Sequence, residues 1–239
     1  MIAAALIAQT PIAYAIFDLD GLLLDTESIN EQVNRAIAQR YDRPFDPALK
    51  FQVAGRDAIA SAEIIVAALA LPISAADFLQ ERRAMMAAWQ PTAAPLPGAV
   101  ALTGHLHRCG VGLAIATSST QGPFAWKMAP HPAWLQCFDQ VVLRDDPAVT
   151  AGKPAPDLFQ VAADRLGADP AQCLVFEDSA AGVQAAQAAG MSAIAIPPRS
   201  SDPRHHPHQY AGAVCVLRSL TEFDPTRWGW PAIGPTELS

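Results

Sequence analysis

Six short apolar runs, Ala13–Phe17, Gly112–Ala116, Gln140–Leu143, Cys173–Phe176, Ala193–Ile196 and Ala213–Leu217, are each bounded by turn residues. Runs of this kind read as strands buried on both faces. Helical patterns lie between the later ones: Ala99–Cys109 with Gly110 placed to stop it, Pro156–Leu166 with Gly167 after it, and Ser179–Ala189 ending at Gly190. Strand alternating with helix predicts an α/β fold, a doubly wound parallel sheet with right-handed crossovers.

The stretch from Asp25 to Pro95 breaks that alternation. It offers helical spacing of three and four instead, with Ile29, Val33 and Ile37 in one segment, then Ile59 through Leu69, then Phe78 to Trp89. Ser74, with Asp77 three residues on, marks the start of the last helix as a weak capping box. Residues 26–95 are therefore expected to form a small α-helical insert in a core built from 11–25 and 96–239, and the proline-rich stretch Pro91–Pro97 returns the chain to the sheet. A length of 239 residues suits one large core carrying a smaller unit.

Composition narrows the function. Hydrophobic residues at 51% against 16% charged argue for a globular fold and against disorder. A net charge of -7 disfavours an electrostatic grip on a nucleic-acid polymer, and none is expected as a partner, so an anionic substrate would need local positive charge. The cysteines Cys109, Cys137, Cys173 and Cys215 lie far apart without a C-x-x-C pair, which suggests neither a zinc site nor a disulfide framework and points to a reducing cytoplasm. The apolar start Met1–Ala8 lacks a basic n-region and is too short to span a bilayer; it reads as a frayed start, and no membrane association is expected. His205, His206 and His208 crowd into a proline-bearing loop, where solvated side chains are a better reading than a metal site. The fold needs no partner to complete its core, so a monomer is expected.

The first run leads straight into Asp18-Leu19-Asp20-Gly21. Two carboxylates thus stand at the carboxyl end of a parallel strand, where open α/β sheets place their ligands. The glycine lets the backbone turn sharply, so that Asp18 and Asp20 can face one cavity rather than opposite sides of the sheet. Carboxylates this close repel, and a divalent cation shared with a substrate phosphate relieves the cost. Mg2+, with its oxygen ligands, fits. A further acid ligand is expected from another strand, and Glu177-Asp178 follows Cys173–Phe176 directly, although Asp178 also stands where it would cap the next helix. Thr117, Ser118 and Ser119 follow Gly112–Ala116 and offer hydroxyls and free N–H groups at a helix start, either as a seat for a phosphate oxygen or as a plain cap. Lys153, in Gly152-Lys153-Pro154, is either a fixed charge for phosphate and nucleophile or a solvated loop residue.

An acid pair, a hydroxyl pair, a lysine and a second acid pair arrive in order, each at a predicted strand end. In Ile16-Phe17-Asp18-Leu19-Asp20-Gly21-Leu22-Leu23-Leu24-Asp25-Thr26-Glu27, Ala114-Ile115-Ala116-Thr117-Ser118-Ser119, Gly152-Lys153-Pro154-Ala155-Pro156-Asp157 and Val175-Phe176-Glu177-Asp178-Ser179-Ala180-Ala181-Gly182 the chain resembles the haloacid dehalogenase superfamily. Asp145-Asp146-Pro147 and Val53-Ala54-Gly55-Arg56 bring it nearer the GS1-like phosphatases, which include pseudouridine-5'-phosphatase; Arg144 stands where a glycine would be expected.

The resemblance implies a helical cap over the site, with Glu27, Gly55, Arg56, Ser118 and Ser119 binding the substrate. It also implies Mg2+ held by Asp18, the backbone carbonyl of Asp20 and Asp178, with Glu177 in the same metal set. The reaction would open with Asp18 attacking phosphorus in line while Asp20 protonates the departing alkoxide; Asp20 would then take a proton from the water that hydrolyses the aspartyl-phosphate, with Lys153 and Thr117 completing the cradle. The expected substrate is a small phosphorylated metabolite such as pseudouridine 5'-phosphate, glycerol phosphate or a sugar phosphate. A sugar phosphomutase of the β-phosphoglucomutase type shares all four motifs. A dehalogenase would leave Asp20 and Glu177-Asp178 unexplained, and a non-catalytic phosphometabolite-binding protein would be expected to have lost Asp18, Asp20 or Lys153.

Overall fold

The computed structural model describes residues 11–46, 49–53, 58–198 and 209–234. Met1–Ala8, Gly55, Arg56, His205, His206 and His208 lie outside the described residues. The chain divides into two compact units, one formed by the residues up to Leu24 with those from Ala94 onward, the other by Asp25–Ala93.

In chain order the elements are β1 (Tyr14–Phe17), α1 (Thr26–Arg40), α2 (Leu49–Val53), α3 (Ala58–Ala68), α4 (Ala75–Trp89), α5 (Ala99–Arg108), β2 (Gly112–Ala116), α6 (Gln121–Met128), α7 (Pro132–Leu135), β3 (Gln140–Val142), α8 (Asp157–Leu166), β4 (Cys173–Glu177), α9 (Ala180–Ala188), β5 (Ser192–Ala195) and β6 (Cys215–Val216). The strands form one parallel sheet in the order β3-β2-β1-β4-β5-β6. All six predicted runs are found in it. The last shrinks to Cys215–Val216, because the turn closed by Ala213 N–H donating to the Tyr210 carbonyl occupies its start.

The period of two along β1 sorts its side chains between two cores. Ile16 joins Ala114 and Val175 under α8 and α9, packed on Leu158, Phe159, Val183 and Ala186. Phe17 points the other way, stacks on Phe176 with centroids 4.5 Å apart, and meets Phe138 edge-on. Phe176 in turn meets Phe223 of the C-terminal segment, which packs on Trp228 and Trp230. Burying a side chain such as Phe17 contributes roughly 1.5–3 kcal/mol. Helices α8 and α5 end where glycines were expected to stop them, at Gly167 and Gly110, both with positive φ.

The Asp25–Ala93 unit is helical among its described residues. Ile29, Val33 and Ile37 are buried on the face of α1 that the spacing marked, and Phe78 and Met86 are buried in α4. The capping box forms in full: Ser74 Oγ accepts from Asp77 N–H, and the Asp77 carboxylate accepts from Ser74 N–H. Arg82 of α4 donates to Asn30 Oδ1 at 2.8 Å and Asn34 Oδ1 at 3.2 Å on α1.

Candidate active site

β1 lies between β2 and β4, and the register aligns Phe17 with both Ile115 and Phe176. The chain steps outward from β1 through β2 to β3, then returns to β4 on the other side before continuing to β5 and β6. The carboxyl end of β1 is therefore the switch point of the sheet, where a crevice opens. Backbone bonds carry the ladder one residue further: Asp18 N–H donates to Phe176 O, and Thr117 N–H donates to Val142 O, each at 3.0 Å. Gly21 follows at φ 83°, in the left-handed region that a side chain resists, and turns the chain back so that its N–H donates to Leu24 O.

Two lysines organise the acids gathered here. Lys153 Nζ donates to Asp18 Oδ1 and Glu177 Oε1, both at 2.5 Å, and to the Ala116 carbonyl at 3.1 Å, while standing 4.9 Å from the centre of the Phe159 ring. The other Glu177 oxygen accepts from Ser179 N–H at 3.0 Å and Ser179 Oγ at 2.9 Å. Burial pushes the Asp18 carboxyl up to about 7; Lys153 pulls it down, and the charges of Glu177 and Asp20 push it further up. Burial alone would lower the Lys153 ammonium, but the two carboxylates outweigh it and hold it above the ordinary lysine range. One ammonium cannot neutralise two buried carboxylates, so ionising Asp18 beside Glu177 is resisted.

The second lysine is Lys127, on the last turn of α6. Its Nζ donates to both Asp20 oxygens at 2.6 Å and to Ser119 Oγ at 2.5 Å, and Ser119 Oγ donates to Asp20 Oδ2 at 2.8 Å. Thr117 Oγ1 adds a longer contact to the same oxygen at 3.3 Å. Sequence reasoning placed a helix start at Thr117–Ser119 but did not follow the helix on to Lys127, because Gly122 and Pro123 in the first turn of α6 look like a loop. A signal existed all the same: the chain has only three lysines, Lys50, Lys127 and Lys153, against thirteen arginines.

The structure corrects several expectations. Glu177 is not set out as a metal ligand: it is fully buried, with one oxygen on Lys153 and the other on Ser179. Asp178 does not cap α9, since Ser179 does so by accepting from Gly182 N–H; Asp178 is half-exposed, and its backbone carbonyl accepts from the Tyr210 hydroxyl. The segment Thr117–Ser119 is not a helix start with free N–H groups. Ser119 N–H donates to Thr117 Oγ1, Ser118 is exposed, and α6 begins at Gln121, whose N–H donates to both Asp145 oxygens at 3.1 Å. Glu27 is exposed in the first turn of α1. Arg144 lies over Gly152, where a β-carbon would stand 3.1 Å from its Nε.

Among the described residues no group of three His, Cys, Asp or Glu side chains is arranged to hold a metal ion. Mg2+ asks for less, one or two carboxylates with water and substrate phosphate. The donors at the ends of β1 and β4 are all oxygen, and the raised Asp18 carboxyl marks the surplus negative charge that such an ion would offset. The residues present fit it.

Residues 12–190 match the family described as haloacid dehalogenase-like hydrolase. The chain is 41% identical over 226 residues to (DL)-glycerol-3-phosphatase 1, mitochondrial, of Arabidopsis thaliana, covering 92% of this chain and 74% of that protein. It is 38% identical over 224 residues to "Probable pseudouridine-5'-phosphatase" of Drosophila melanogaster, covering 92% and 95%. Among solved structures, a HAD family hydrolase from Deinococcus radiodurans R1 with bound phosphate and sodium superposes with a TM-score of 0.76 at 25% identity, over 92% of this chain and 97% of that one. With the acid pairs and Lys153 assembled at one switch point and the family match spanning most of the sheet, the chain belongs to the haloacid dehalogenase-like hydrolases.

Proposed function

We propose that the chain is a Mg2+-dependent phosphatase that hydrolyses a small phosphorylated metabolite through an aspartyl-phosphate on Asp18. The observation that carries this reading is the asymmetry of Asp18. Its Oδ1 is held by Lys153, while no hydrogen bond among the described residues engages Oδ2, which is left at the strand end as the attacking oxygen. Asp20, two residues on, is held in the neighbouring hydroxyl and lysine network.

In the first half-reaction an Asp18 oxygen bonds to phosphorus as the bond to the leaving oxygen breaks, and Asp20 gives its proton to the departing alkoxide. In the second, Asp20 takes a proton from a water whose oxygen attacks phosphorus, the bond to Asp18 breaks, and inorganic phosphate leaves. Lys153, fixed between Asp18 and Glu177, supplies positive charge to the phosphoryl oxygens, and Thr117 a hydroxyl. Asp18, the Asp20 backbone carbonyl and Asp178 would hold Mg2+, which supplies charge neutralisation for the transferring group. The helical unit, residues 25–93 with Glu27, Gly55 and Arg56, would act as the cap that excludes water and selects the substrate. Four free cysteines fit a reducing cytoplasm.

The names of the relatives point to glycerol 3-phosphate and pseudouridine 5'-phosphate as first substrates to try, with hexose phosphates beside them. Phosphate release from this panel, with Mg2+ and then with excess chelator, tests the proposal. Chelator-sensitive release from one or a few of these supports it; release from none of them overturns it.

A further inference from the structure

Lys127 is only 1% exposed, and among the described residues the one carboxylate its ammonium meets is that of Asp20. Burying an ammonium is costly unless its donors are used, and here they are spent on the two Asp20 oxygens and Ser119 Oγ. Ser119 relays the same contact, since its hydroxyl donates to Asp20 Oδ2. The parts of this clamp are themselves fixed from the β3 side of the sheet. The Asp145 carboxylate accepts from Gln121 N–H at the first residue of α6, and Arg144 N–H donates to the Ser119 carbonyl at 3.0 Å. The side chain of Asp20 is still 34% exposed, and among the described residues the other side-chain contact to its carboxylate is the longer one from Thr117 Oγ1 at 3.3 Å. An arginine would present a wide planar fork; a lysine places a single point charge against both oxygens.

We infer that Lys127, with Ser119, is a positioning residue for Asp20: the pair fixes the direction of the ionised Asp20 carboxylate, the form that takes a proton from water, and one oxygen turns from acceptor to donor when Asp20 carries the proton it gives to the leaving group. The inference rests on the reading of Asp20 as the proton-transferring group. It moves Ser119 from the substrate to the acid–base machinery. It also gives the Asp145-Asp146-Pro147 segment a task, as the anchor of the helix that carries the lysine; Asp146 meanwhile pairs with Arg165 at 2.7 Å.

The test is a double-mutant cycle on the full-length protein with glycerol 3-phosphate, or whichever panel substrate wild type turns over, and Mg2+. Lys127→Met keeps the stem and removes the charge. It is expected to lower kcat about tenfold or more and to leave KM within about twofold, because a misdirected acid slows chemistry without weakening binding. Placed in an Asp20→Asn background it should cost almost nothing further, since its whole effect runs through Asp20. Ser119→Ala, which leaves the lysine in place, should show a smaller kcat loss with the same non-additivity, and it carries the test should Lys127→Met fail to fold. Full additivity with Asp20→Asn, or a loss confined to KM, overturns the inference alone. A wild type that releases phosphate from no substrate overturns the phosphatase reading and this inference with it.

Discussion

A β-carbon placed on Gly182 would stand 1.9 Å from the carboxylate carbon of Glu177. The first turn of α9 has to lie that close because Ser179 both caps the helix, accepting from Gly182 N–H, and donates to the Glu177 carboxylate. The bare glycine therefore lets one carboxylate be held between a helix start and Lys153. Gly182→Ala is expected to push Glu177 aside, at a cost of roughly 1–3 kcal/mol in stability, and to lower kcat by on the order of a hundredfold as Lys153 loses its second support. Chemical denaturation and steady-state kinetics check it; a variant with unchanged kcat would show that Glu177 does not hold Lys153 in place.

The two acids after β4 should respond differently to metal. Glu177 has both oxygens engaged by Lys153 and Ser179, whereas the half-exposed Asp178 does not spend its side chain on capping α9. Asp178→Asn is expected to raise the Mg2+ concentration needed for half-maximal rate by roughly ten- to a hundredfold, while Glu177→Gln lowers kcat with little change in that concentration. A Mg2+ titration of rate for each variant decides it, and the reverse pattern would restore Glu177 to the metal.

Asp18→Asn should abolish turnover with the fold intact, since the amide is close in shape but a poor nucleophile. Asp20→Asn should retain a residue of activity, reduced by about a hundredfold or more, because general acid–base catalysis is only one contribution among several. Acid-quenched protein should carry covalent phosphate when Asp18 is present and none in the Asp18→Asn variant. Phosphate retained by that variant would place the nucleophile elsewhere.

What could be read in advance follows a physical division. β1 and β4 were legible because a strand buried on both faces must be continuously apolar, and the acids that end them have few other reasons to stand there. α6 was legible only as a helix start at Thr117–Ser119, because Gly122 and Pro123 in its first turn carry the marks of a loop, although proline is tolerated in that turn. The helix was not followed as far as Lys127. Glu177 was less legible for a different reason: spacing brings Glu177 and Asp178 to the same edge but does not say which carboxylate turns inward, and the Glu177 oxygens are taken by Lys153, 24 residues away, and by Ser179, two residues on. The contact of Ser119 with Asp20 was equally hidden, since the two residues are 99 apart in the chain.

Asp18 keeps its proton up to about 7 against an ordinary 3.8, chiefly through burial and further through the charges of Glu177 and Asp20, with Lys153 opposing. Between those two values the folded state binds a proton at Asp18 that the unfolded chain has already released, so this group makes stability fall as pH rises across that window. Lys153 is held above its ordinary value, stays charged throughout the same window, and contributes no slope there. In the presence of chelator the thermal midpoint of wild type, compared with Asp18→Asn, should therefore lose ground steadily from 3.8 to about 7 and level off above. Adding Mg2+ should flatten the wild-type curve, because a cation beside Asp18 favours the ionised form. Scanning calorimetry of the two proteins across that range reads the difference directly, and a wild type that gains on the variant as pH rises would mean that Asp18 is already ionised in the folded protein.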